Sequence, residues 1–123
     1  MDSSRIAFIE KLKLRTKQLA LSAISLFRIL PKTEEARIVG RQLIRSATSV
    51  AANYRAACRA RSGAEYFAKL SIVVEEADET LFWLEILEEA QILPVPNVEN
   101  LRKEATEVLA IMATARKNTK KEQ

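Results

Sequence analysis

Glu34-Glu35-Ala36-Arg37-Ile38-Val39-Gly40-Arg41-Gln42-Leu43-Ile44-Arg45-Ser46-Ala47-Thr48-Ser49-Val50-Ala51-Ala52-Asn53-Tyr54-Arg55-Ala56-Ala57 is the stretch that decides the fold. Ala36, Gly40, Leu43, Ala47, Val50, Tyr54 and Ala57 recur at alternating steps of four and three. That spacing puts them along one side of a helix, with a period close to 3.5 residues. Thr33 stands where a capping hydroxyl is needed, and Glu34 and Glu35 follow in the first turn, where the helix dipole favours acids.

Outward from this helix the same period returns three times. Upstream, Ile9, Leu12, Thr16, Leu19, Ala23, Leu26 and Leu30 form a stripe that Pro31 ends. Downstream, Ser62-Gly63-Ala64-Glu65 reads as a capping box. It opens a helix with the stripe Phe67, Leu70, Val74, Ala77, Leu81 and Leu84. Leu93-Pro94-Val95-Pro96 reads as a loop, Asn97 as a cap, and Val98, Leu101, Ala105, Val108, Met112 and Ala115 as the last stripe. The expected helices run over about 4–30, 34–61, 63–90 and 98–117, with a Lys-rich tail at 118–123. Short connections favour antiparallel neighbours. The fold class is all-α, an up-down-up-down four-helix bundle, in one domain spanning 1–123.

Composition agrees. The chain of 123 residues suits one core. Two Gly and three Pro leave few sites for tight turns, which disfavours β-hairpins. The lone Cys58 has no intramolecular disulfide partner, and the expected setting is cytoplasmic. No apolar run reaches the roughly 18 residues of a membrane span. Met1 to Arg15 carries charges throughout and has no secretory apolar region.

The chemistry-bearing residues point away from catalysis. The sequence has no histidine. This removes the commonest general acid/base and excludes Ser-His or Cys-His pairs and the Glu-x-x-His sets of bundle di-iron sites. No Gly-rich phosphate loop is present. Cys58 reads as a buried structural thiol. Glu75, Glu76, Asp78 and Glu79 read as a solvated or salt-bridged face in preference to a metal site. The expectation is a protein that is not an enzyme, with no cofactor, no metal and no evident small-molecule substrate.

Charge is unevenly distributed. From Lys32 to Gly63 there are seven basic and two acidic residues; from Ala64 to Leu93 there are eight acidic and one basic. Arg37, Arg41, Arg45, Arg55 and Arg59 share a sector of about 80° on the second helix, opposite its apolar stripe. This stripe either pairs with acids of the third helix, in the same or a neighbouring subunit, or binds nucleic-acid phosphates. Arg37, Arg41, Arg55 and Arg59 are the candidate phosphate contacts. Arg45 is expected to pair with a third-helix carboxylate. The chain shows no aromatic residue interleaved with the arginines, so base stacking is not expected and sequence specificity should be poor. Gln42, Ser46, Ser49 and Asn53 read as a polar seam between helices. Ile72, Phe82, Trp83 and Ile86 lie off the third helix's core stripe and are the candidate oligomer interface.

The run Arg45 to Arg55, followed by Ser62-x-x-Glu65-Tyr66-Phe67-x-x-Leu70 and Glu75-Glu76-Ala77-Asp78-Glu79-Thr80-x-x-Trp83-Leu84, resembles the bacterial four helix bundle protein family. Those proteins were first noticed as products of intervening sequences in large-subunit ribosomal RNA genes. The resemblance extends from about Leu14 to Lys117 and includes the Leu30-Pro31-Lys32 corner. It implies a bundle that assembles into a ring, a pentamer, and supplies no catalytic residues. The family is similar, more distantly, to accessory proteins of diversity-generating retroelements, basic pentameric bundles that work with a reverse transcriptase and RNA. Only the second helix here shares that basic character. The expected function is a homo-oligomeric binding or scaffold protein, with RNA or a ribonucleoprotein as candidate partner. The alternatives are a purely structural assembly or a carboxylate-metal enzyme using the third helix.

Overall fold

Capping side chains fix where three of the helices begin. Asp2 accepts the Arg5 N–H at 2.8 Å, Thr33 accepts that of Ala36 at 3.3 Å, and Ser62 accepts that of Glu65 at 3.0 Å. The computed structural model describes residues 2–122, with side chains from Asp2 to Thr119. Its helices are α1 (Ser3–Arg28), α2 (Glu34–Ala57), α3 (Gly63–Glu89) and α4 (Val95–Glu122). At 1.5 Å per residue each is about 40 Å long.

Three boundaries differ from the sequence reading by more than two residues. α2 stops at Ala57 rather than Arg61, because the chain tightens there: Arg59 and Ala60 donate to the carbonyls of Ala56 and Ala57. α4 begins at Val95 rather than Val98. Pro96 lies in the first turn, where a missing N–H costs nothing and its fixed φ suits the helix. Asn97 is therefore not the cap; its N–H donates to the Pro94 carbonyl at 3.0 Å. The expected tail is helical to Glu122, and Gln123 lies outside the described residues. Just beyond the end of α3, Gln91 takes φ 57°, a left-handed conformation. The Ile92 N–H returns to the Leu87 carbonyl at 3.0 Å, which turns the chain towards α4.

Helices adjacent in sequence pack side by side, and α1 meets α4 only sparsely. One cluster of buried residues runs through the centre. The stripes of α1, α2 and α4 enter it as expected, with Leu19, Leu43, Val50, Tyr54, Val108 and Met112 at most 2% exposed.

The stripe of α3 does not enter it as expected. The buried positions are Leu70, Val73, Ala77, Thr80, Leu84 and Leu87, while Phe67, Val74 and Leu81 are half-buried. α3 lies between α2 and α4 and is apolar on more than one side, so apolarity alone did not single out its inward face. Thr80 occupies an inward position because a polar partner awaits it. Its Oγ1 is 3.0 Å from Ser46 Oγ, and each hydroxyl also reaches a carbonyl of its own helix, Glu76 and Leu43 respectively. Each hydroxyl has one proton, so two of these three contacts are made at a time: Ser46 donates to the Leu43 carbonyl while Thr80 donates to Ser46 Oγ or to the Glu76 carbonyl, and neither donor is left idle.

Candidate nucleic-acid interface

α2 carries Arg37, Arg41, Arg55 and Arg59 on its outer side, and all four are exposed. The caps and the buried Ala36–Ala57 stripe fix the rotation of the helix, so the arginines have to face outward. Among the described residues, ion pairs involve other cations; these four have no carboxylate within 4.0 Å.

Arg45 departs from them. It leans towards α3, where Nη1 is 2.8 Å from Glu76 and Nη2 bonds Glu79, and its Nε donates to Gln42 at 3.2 Å. These two carboxylates, Glu79 foremost, raise the guanidinium's pKa. The indole N–H of Trp83 donates to Glu79 at 3.0 Å, and with Arg45 it holds that carboxyl below its ordinary range. The stripe is thus divided: one arginine closes the α2–α3 seam and four stay available.

Of the other polar residues expected in the seam, Ser46 reaches α3, whereas Ser49 and Asn53 bond each other within α2. Ser46 is buried against Thr80, and Asn53 Nδ2 donates to the carbonyl and Oγ of Ser49 at 3.0 and 2.9 Å.

α1 extends the basic surface, which sequence reading missed. A groove of about 390 Å³ between α1 and α2 is floored by Ala20, Ala51 and Ala52 and bordered by Lys13, Lys17, Arg55 and Arg59. Glu10 is also on its border and lies 3.3 Å from Lys13. At the α1–α2 corner a second pocket of about 400 Å³ is lined by Phe27, Arg28, Leu30, Pro31, Lys32 and Arg37. The four-residue step from Lys13 to Lys17 was visible in the sequence. Their alignment beside the arginines was not, because it depends on how α1 rotates against α2.

The candidate interface residues of α3 separate into two kinds. Ile72 and Phe82 are 37% and 49% exposed. Trp83 and Ile86 are half-buried and pack against the core. Phe82 and Trp83 meet edge to face, with centroids 4.9 Å apart. In the acidic cluster, Glu76 and Glu79 are taken by Arg45, and Glu75 and Asp78 are exposed. Among the described residues no three His, Cys, Asp or Glu side chains are grouped to hold a metal ion. Cys58 is half-buried at the end of α2, where burial pushes its thiol pKa up, so little thiolate is present at neutral pH.

The α1–α4 side is held at mid-length by Arg15. Its Nε and Nη2 donate to Glu104 at 2.7 and 2.8 Å, and Nη2 lies 2.9 Å from Glu107. On either side of this strap the two helices part and leave clefts of about 560 and 530 Å³.

The family model of the 23S rRNA-intervening sequence protein matches residues 11–114. The chain belongs to that family. A solved structure from Bacteroides thetaiotaomicron, a protein of unknown function from the S23 ribosomal protein family, is similar to this member throughout. It is 28% identical, with a TM-score of 0.81, over 89% of this chain and 97% of the other. No curated protein matches the chain. The matched span includes all four free arginines and the α3 patch. Among the described residues no helix is long and apolar enough to cross a membrane.

Proposed function

We propose that the protein is a non-enzymatic, homo-oligomeric binding or scaffold module of the cytoplasm, whose basic α1–α2 face holds RNA or a ribonucleoprotein. The observation that carries this reading is the contrast between Arg45, engaged by Glu76 and Glu79, and Arg37, Arg41, Arg55 and Arg59, exposed with no carboxylate within 4.0 Å among the described residues. Helix-surface charges serving only solvation are usually interspersed with opposite charges. Here one sign is concentrated, and Lys17 adds to it from α1, with Lys13 beside it in an ion pair with Glu10. A repeated copy of this face around an oligomer would present a polyanion with several cationic sites at once.

Binding through such a face is electrostatic. Its log affinity falls with log salt by about 0.7 per phosphate contacted on a single strand and 0.9 on a duplex of the B type. The test is RNA titration at several salt concentrations, with wild type and Arg37→Gln/Arg41→Gln. The double variant is expected to bind every sequence more weakly and with a flatter slope. Absence of binding by wild type at low salt, or an unchanged slope in the variant, overturns the reading.

A second reading is a purely structural assembly that makes no contact with nucleic acid. The exposed Ile72 and Phe82 beside Trp83 and Ile86 favour association whichever reading holds.

A further inference from the structure

The corner pocket between α1 and α2 adds what the arginine stripe lacks, an aromatic surface. Phe27 comes from the last turn of α1 and is half-buried. Its ring lies hard against α2 because Gly40 has no side chain: a Cβ there would meet Phe27 Cδ2 at 2.6 Å and Leu30 Cδ1 at 2.6 Å. The α1 terminus is closed by the N–H groups of Ile29 and Leu30, which donate to the carbonyls of Leu26 and Phe27 at 3.1 and 3.2 Å. Ring and corner are therefore fixed from both sides. Around this apolar wall stand Arg28, Lys32 and Arg37, exposed and with no carboxylate within 4.0 Å among the described residues. Glu34 and Glu35, in the first turn of α2, do not line the pocket. Its volume of about 400 Å³ lies within the usual range for small-ligand sites.

We propose that this pocket seats an unpaired nucleotide of a single-stranded RNA, the base against Phe27 and Pro31 and the neighbouring phosphates on Arg28, Lys32 and Arg37. The inference rests on the basic face being a polyanion site and gives it a strand preference. A base inside a duplex is stacked and paired and cannot reach such a wall, whereas an unpaired base offers its π-face at no cost in pairing. Stacking tolerates every base, so the pocket selects single strands without selecting a sequence. Arg37 links the pocket to the rest of the stripe along α2, which gives the strand a path from the corner towards Arg41, Arg55 and Arg59.

The experiment titrates the full chain, at fixed salt, with three probes. They are a short single-stranded RNA carrying one fluorescent purine analogue quenched by stacking, the same sequence as a duplex, and inorganic polyphosphate, which has no base. The single strand is expected to bind tightest and to show quenching. Phe27→Leu should weaken it at least about fivefold, the lower end of a lost aromatic–base stack, and leave polyphosphate binding and the salt slope unchanged. Phe27→Tyr, which keeps the ring, should retain the preference. The exposed pair Arg28→Gln/Lys32→Gln, which leaves the packing intact, should reduce the quenching. If polyphosphate and RNA bind but single and double strands bind alike, or if Phe27→Leu leaves the single-strand preference in place, the pocket proposal fails and the basic face stands. If none of the three probes binds at low salt, the basic-face reading fails and this inference fails with it.

Discussion

Gly40 shows how one residue can be set by its neighbours rather than by its own helix. In the interior of α2 a glycine costs about 0.5–1 kcal/mol relative to alanine. Alanine would therefore be preferred if the position were open. It is not open, since the Cβ would fall 2.6–2.8 Å from atoms of Phe27 and Leu30. Gly40→Ala is expected to destabilise the protein by about 0.5–2 kcal/mol net, the cost of overpacking less the gain in helix propensity. Chemical denaturation measures this directly. The penalty should shrink in a Phe27→Leu background, because a flexible side chain can give way where a ring cannot. In the sequence Gly40 could be placed on the buried stripe of its helix by spacing. Its reason for being glycine depends on a residue of a different helix.

At the scale of the helix, α3 is the informative element. Leu84 is fully buried and Leu81 only half-buried. Leu84→Ala should cost about 2–5 kcal/mol, and Leu81→Ala distinctly less. Equal denaturation midpoints for the two variants would place the inward face wrongly. The α2–α3 seam also makes a pH prediction. Glu79 is lowered from an ordinary value of 4.5, by the Trp83 indole first and by Arg45 as well, against the opposing effect of burial. A carboxyl lowered in the folded state contributes stability above its ordinary value and loses that contribution as pH falls through the folded one. Trp83→Phe should therefore move the Glu79 titration up towards 4.5 and lessen the stability lost between that value and stronger acid. Carboxyl NMR titration of wild type and variant checks it. The stripes of α1, α2 and α4 were legible because each of these helices has one apolar side. α3 is apolar on several sides, and only its contacts with α2 and α4 say which is innermost.

For the whole molecule, the exposed α3 patch makes association the property to measure. Phe82 is a cleaner probe than Trp83, since truncating Trp83 would also remove packing against the core. Light scattering is expected to show wild type well above the 13.9 kDa of one chain. Phe82→Ala combined with Ile72→Ser should shift it towards smaller species, as loss of a central aromatic often costs 2 kcal/mol or more of association. A monomeric wild type would remove this surface from consideration. Stability comparisons among these variants need equal protein concentration, because assembly adds to apparent stability.

The sequence by itself determined the four helices, their order, three of the four inward faces and the outward position of Arg37, Arg41, Arg55 and Arg59. Periodicity and capping are local properties, and a helix with one apolar side has only one way to face a core. The sequence also directed Arg45 to a carboxylate of α3; tertiary structure alone decided that its partners are Glu76 and Glu79, that Thr80 goes inward to meet Ser46, and that Lys13 and Lys17 border the groove beside the arginine stripe. It also decided that Phe27 stands beside Arg37, although no aromatic interleaves with the arginines along α2. These pairings join residues of different helices, whose relative rotation is fixed only when all four stripes pack together.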